Sequence, residues 1–167
     1  MPREVHVATI ERYLGWLAAQ AALTGSVAWV AFQLQQEQVS PAVLFPMLVG
    51  AVLGAGIFLI SRATGVRRCS IMIGAAFVAG LMVVIGQDYI GHWHRLRDYA
   101  DEISRQPLAA QALSDNAELR THFSQYLGHK VRAEPVWWTL DVVLTSGVAV
   151  IVVAVTRAGK STDSFTT

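Results

Sequence analysis

Cysteine and charge are both scarce in this sequence, and each scarcity excludes a class of protein. Cys69 is the only cysteine among 167 residues, so an intrachain disulfide, CxxC redox chemistry and a cysteine-rich zinc site are all excluded. Charged residues make up 15% of the chain, where a soluble domain carries about 25%. The net charge of +1 and the lack of a basic stripe with interleaved aromatic residues predict no binding of nucleic acid.

Long uncharged runs of apolar residues are what the sequence has instead. A helix needs about 20 such residues to cross a bilayer, and four stretches qualify. Residues 14–34 and 42–60 are uncharged, and residues 71–93 and 136–156 each contain one aspartate. The first run is longer than the roughly 7 to 15 apolar residues of a cleaved signal peptide, so we interpret it as a retained helix. The sequence therefore predicts an all-α protein, one membrane domain over residues 1–167 that folds as a four-transmembrane-helix up-down bundle.

The distribution of basic residues predicts the orientation of the four spans. Arg62, Arg67 and Arg68 lie between the second and third spans without an acidic residue, whereas the segment between the first two spans carries only Glu37. Because Lys and Arg near span ends collect on the cytoplasmic side, we expect both termini and the arginine-containing connection in the cytoplasm. A bacterial cell inner membrane is the predicted location, and the lipid bilayer is the first predicted partner.

The outer segment, residues 94–135, is predicted to be helical. Helical spacing of apolar residues up to Arg105 predicts that the third helix projects beyond the membrane until Pro107 ends it. Asp115 and Glu118 form a plausible capping box for a second helix, and Gly128 is its predicted end. The tail from about residue 161 to 167 is predicted to be disordered.

Small residues spaced four apart predict where the spans pack closely. Gly50 and Gly54 form a GxxxG motif in the second span, and Ala76 and Gly80 have the same spacing in the third. Such pairs let helix backbones approach each other in lipid. We interpret them as contacts within the bundle, with a homodimer seam as the alternative.

Two aspartates lie inside the spans, and ionisable residues there are functional candidates. Asp88 and His92 share a helix face because they are four apart. Arg95 and Arg97 are near enough in sequence to neutralise Asp88, Asp98 or Asp101. Imidazole and carboxylate groups bind zinc, copper or iron. A transition-metal site at the outer rim of the bundle, where the spans leave the membrane, is therefore an alternative hypothesis. Its candidate ligands are Asp88, His92, His94, His122, His129 and Asp141.

The middle of every span is uncharged, which disfavours a pump or an ion-coupled transporter. No catalytic residues and no cofactor are predicted, and neither GxSxG nor HExxH occurs. The leading hypothesis is a non-catalytic membrane protein, a subunit or interaction module whose outer segment binds a protein partner or a further copy of the chain. The alternatives are the metal-dependent function and an oligomeric channel or small-molecule transporter.

Overall fold

The described part of the chain is helical. The computed structural model describes residues 2–36, 43–66, 68–105 and 122–162. In these residues the chain forms the helices α1 (Pro2–Gln36), α2 (Leu44–Thr64), α3 (Cys69–Arg105), α4 (Phe123–Ala133) and α5 (Pro135–Thr162). The predicted capping box at Asp115 and Glu118, the predicted break at Pro107 and tail residues 163–167 lie outside the described residues.

Four of these helices are long and apolar enough to cross a membrane, which confirms the prediction from the uncharged runs. The qualifying stretches are Ile10–Gln36, Leu44–Thr64, Cys69–Asp98 and Pro135–Ala158. Each of the four helices also leaves large apolar side chains exposed, among them Leu14, Leu48, Phe77 and Val155. Extended apolar surface of this kind is expected where lipid surrounds the protein.

Contacts at the helix ends define the directions of the helices. Trp16, early in α1, donates a hydrogen bond to Ser61 at the end of α2, so these two helices are antiparallel. Arg157 near the end of α5 contacts Met72 near the start of α3. Both α1 and α5 pack against α2 and α3, and α2 and α3 also contact each other. We call the end where α1 stops and α2 and α5 begin the α4 end.

The GxxxG motif of α2 brings its backbone against α5. A Cβ atom at Gly50 would lie 2.5 Å from the backbone oxygen of Thr145, and one at Gly54 would lie 2.6 Å from that of Ala149. On the other side of α5, a Cβ atom at Gly80 of α3 would lie 2.6 Å from the Cα of Ser146. These glycines therefore pack inside the bundle, as the sequence predicts, because only a hydrogen atom fits at each contact.

The helix that follows α3 does not stop where its glycine predicts. We expected Gly128 to end it, but α4 continues to Ala133. The partly buried side of α4 consists of residues spaced three or four apart, namely Phe123, Tyr126, Leu127, Lys130 and Val131. Because this stripe continues past Gly128, packing against the bundle outweighs the weak helix propensity of one glycine.

Candidate functional site

An ion pair joins α4 to the long apolar helix α3. Asp88 of α3 is 9% exposed, and its Oδ1 atom accepts a charge-assisted hydrogen bond from Nζ of Lys130. Its Oδ2 atom accepts a hydrogen bond of 3.2 Å from Nε1 of Trp138 on α5. Both oxygens of a carboxylate buried at the α4 end are thus satisfied, as a buried charge requires.

The junction of α4 and α5 explains why Lys130 and Trp138 reach the same carboxylate. Glu134 alone separates the two helices, with φ −130° and ψ 56°. Its amide donates to the carbonyl of Lys130 (2.9 Å), and the amide of Trp138 donates to the carbonyl of Glu134 (3.1 Å). Hydrogen bonds between residues four apart are therefore made on both sides of the bend. Lys130 and Trp138 therefore lie about one turn before and one turn after the bend, and both reach Asp88.

Asp141 adds a second carboxyl group to this cluster. It lies one turn after Trp138 on α5, is partly buried, and interacts electrostatically with both Lys130 and Asp88. One lysine thus stands close to two acidic side chains at the α4 end of the bundle. The ion pair of Lys130 with Asp88 favours keeping α4 folded against the bundle, because withdrawing the lysine leaves Asp88 buried without its cation.

A layer of aromatic rings extends the contact one turn beyond Asp88. His92 is 6% exposed and stacks on Tyr126 of α4, with ring centroids 4.6 Å apart. Tyr89 of α3 meets Phe123 edge to face at 5.1 Å. Geometries of this kind contribute about 0.5–1.5 kcal/mol per aromatic pair beyond simple burial. Together with the ion pair, these rings position α4 against the end of α3.

The remaining candidate metal ligands on α1-facing or exposed positions lie in environments that differ from that of Asp88. His94 packs on Phe32 of α1 at 5.1 Å, away from the ion pair, and both His122 and His129 are exposed. No group of three or more His, Cys, Asp or Glu side chains in the described ranges is arranged to hold a metal ion. The metal site stays a prediction.

The opposite side of α4 faces outward and is polar. Beside it lies an open cleft of about 800 Å³. The cleft presents both basic and acidic groups in positions that the contacts with the bundle leave exposed. Side chains that line it include Arg95, Ser124, Gln125, His129, Arg132 and Glu134.

Two members of the site escaped the sequence analysis. Arg95 and Arg97 were candidates to neutralise Asp88, Asp98 or Asp101, whereas Lys130 is the residue that pairs with Asp88. Trp138, in the fourth apolar run, was not predicted to contact Asp88. The signal that points to Lys130 is its position in the apolar stripe of α4, three and four residues after Leu127 and Tyr126. A lysine in such a stripe needs a buried acid as its partner.

Comparison with known proteins adds no functional assignment to this geometry. No protein-family model, no curated protein and no solved structure matches the chain.

Proposed function

We propose that this chain is a non-catalytic integral membrane protein that acts as a subunit or interaction module of a membrane assembly. The four apolar helices support the membrane setting. The observation that carries the proposal is the docked position of α4. Its inward side contacts the bundle through the ion pair of Lys130 with Asp88 and the stacking of Tyr126 on His92. Its outward side is thereby held at a defined orientation, as a recognition surface requires.

The proposed topology is an up-down bundle with both termini in the cytoplasm and the α4 end outside a bacterial cell inner membrane. The arginines between α2 and α3 support this orientation by the positive-inside rule. Trp29 and Trp93 are both exposed near the α4 end and support a membrane interface at that end, because tryptophan gathers at membrane interfaces.

The proposed partner is a protein that contacts the polar outward side of α4. That side carries Gln125, His129 and Arg132, and Arg95 of α3 lines the same cleft. Polar surfaces with mixed charges suit non-obligate protein contacts, in which arginine is enriched. We expect acidic and hydrogen-bonding groups on the partner, because the exposed arginines dominate the charge of the cleft.

Purification of the full chain in mild detergent with a charge-reversed variant tests this proposal. We expect wild-type protein to co-purify with a defined partner, and the Arg95→Glu/Arg132→Glu variant to lose that partner. The matched control is Arg97→Glu, an exposed arginine of α3 that does not line the cleft, and this variant should retain the partner. A solitary wild-type protein, or equal recovery with all three forms, would contradict the proposal.

Two alternative functions stay predictions with direct tests. A transition metal at the outer rim would use ligands from Asp88, His92, His94, His122, His129 and Asp141, and elemental analysis of purified protein measures it. An oligomeric channel or small-molecule transporter would show solute flux in liposomes. Neither has a structural observation in its favour comparable to the anchored α4 helix.

A further inference from the structure

Three arginines from different parts of the chain lie around one turn at the end of the bundle opposite to α4. Arg12 of α1 reaches this turn, because its Nη1 atom lies 3.7 Å from the place that a Cβ atom on Gly65 would take. Arg62, in the last turn of α2, accepts a hydrogen bond of 3.3 Å from the amide of Gly65 through its backbone oxygen. Arg68 directly precedes Cys69, where α3 begins. We call Arg12, Arg62 and Arg68 the arginine cluster.

The arginine cluster is exposed and carries an excess of positive charge. All three side chains are exposed, and residues 61–72, which include the turn, contain no acidic residue. Glu11, beside Arg12 in sequence, is exposed as well and offsets at most one of the three charges. A further guanidinium group nearby, that of Arg157 on α5, donates to the thioether sulfur of Met72 at 3.7 Å. Because a thioether is a weak acceptor, this guanidinium also has donors available for an anion.

The lipid-facing side of α2 ends at this cluster. Its exposed residues are spaced three or four apart and form an apolar stripe that consists of Leu48, Val52, Ala55 and Leu59, and Arg62 continues the stripe three residues later. Because the 21 residues of α2 match the hydrocarbon thickness of about 30 Å, the middle of α2 lies near the bilayer centre. Arg62 is about 12 Å from that middle along the helix axis. Its long side chain therefore places the guanidinium group at the level of the lipid phosphates.

We propose that the arginine cluster binds the phosphate group of an anionic phospholipid whose acyl chain lies along the apolar stripe of α2. Guanidinium groups bind phosphate through paired, charge-assisted hydrogen bonds. The excess of cations favours an anionic headgroup over a zwitterionic one, because basic residues near a membrane surface gain from negative lipid charge. The stripe that ends at Arg62 favours a lipid over a soluble phosphate. This site is separate from the outward side of α4 and goes beyond the proposed protein contact.

Titration of the full chain in mild detergent with phosphatidylglycerol tests the proposal. We expect phosphatidylglycerol to raise the thermal midpoint of the wild type, and phosphatidylcholine with the same acyl chains to leave it unchanged. The Arg12→Gln/Arg62→Gln variant should bind phosphatidylglycerol about 25-fold more weakly, since each basic residue contributes about fivefold, or about 1 kcal/mol. This variant keeps Arg67 and Arg68, so the charge bias that orients the chain is retained.

The matched control is Arg97→Gln/Arg132→Gln, which removes two exposed arginines at the α4 end and should change the affinity by less than about twofold. Equal weakening in the two double variants would overturn the proposal, because it would show a response to net charge alone. A rise in the thermal midpoint with glycerol phosphate or inorganic phosphate that equals the rise with phosphatidylglycerol would also overturn it, in favour of a soluble anion. Before lipid is added, both variants should have the midpoint of the wild type, since the replaced side chains are exposed. A lower midpoint of Arg12→Gln/Arg62→Gln at that stage would overturn the assignment of these arginines to lipid.

Discussion

Replacing Lys130 by methionine should release α4 from the bundle while leaving the four long helices folded. Two unit charges about 3 Å apart attract by about 5 kcal/mol at an effective dielectric constant near 20. Desolvation of Asp88 and the 37% exposure of the Lys130 side chain remove more than half of this value. We therefore expect Lys130→Met to destabilise the docked position of α4 by about 2 kcal/mol, which corresponds to a roughly 30-fold larger population of undocked α4.

Hydrogen–deuterium exchange of the α4 segment measures this opening directly, and a double-mutant cycle isolates the ion pair. The Asp88→Asn/Lys130→Met variant should recover most of the loss, because it no longer buries an unpaired charge. Arg132→Met, two residues away on the exposed side of α4, is the matched control and should change exchange little. Unaltered exchange of α4 in Lys130→Met, or strictly additive effects of the two single changes, would refute the reasoning.

Further substitutions test the aromatic layer and the close helix contacts. Tyr126→Ala removes the stack on His92 and should speed exchange of α4 by about tenfold, equivalent to about 1.4 kcal/mol; exchange at the wild-type rate would contradict this. Gly54→Ala should lower the free energy of unfolding in detergent by about 2 kcal/mol relative to Gly147→Ala, whose Cβ meets nothing within 4 Å. Trp16→Phe leaves the buried hydroxyl of Ser61 without its donor and should cost about 1 kcal/mol in the same assay, a loss that thermal unfolding would register.

The four long helices were predictable because hydrocarbon thickness imposes a length of apolar sequence that is easy to recognise. The extension of α3 to Arg105 was also readable from apolar spacing. By contrast, the prediction that the helix ends at Gly128 was wrong. Glycine disfavours a helix by about 1 kcal/mol, and packing of one side of α4 against the bundle outweighs this preference. Local signals failed where tertiary contacts decided the outcome.

The candidate site was only partly predictable, for a related reason. Asp88 and His92 were recognisable as neighbours on one helix face, since a spacing of four fixes that relation within α3. The partner of Asp88 depends instead on the path of the chain after Arg105, which brings Lys130 back to α3 over 42 residues. His94, two residues from His92, faces α1 because two positions along a helix are about 200° apart.

The side of the membrane on which α4 lies tests the central claim most directly. Cys69, at the start of α3, and a cysteine at Ser124, on the exposed side of α4, report on the two ends of the bundle. With a membrane-impermeant maleimide on intact cells, the account predicts labelling of Cys69→Ser/Ser124→Cys from outside and labelling of wild-type Cys69 only after permeabilisation. Labelling of Cys69 in intact cells, with Ser124→Cys protected, would contradict it.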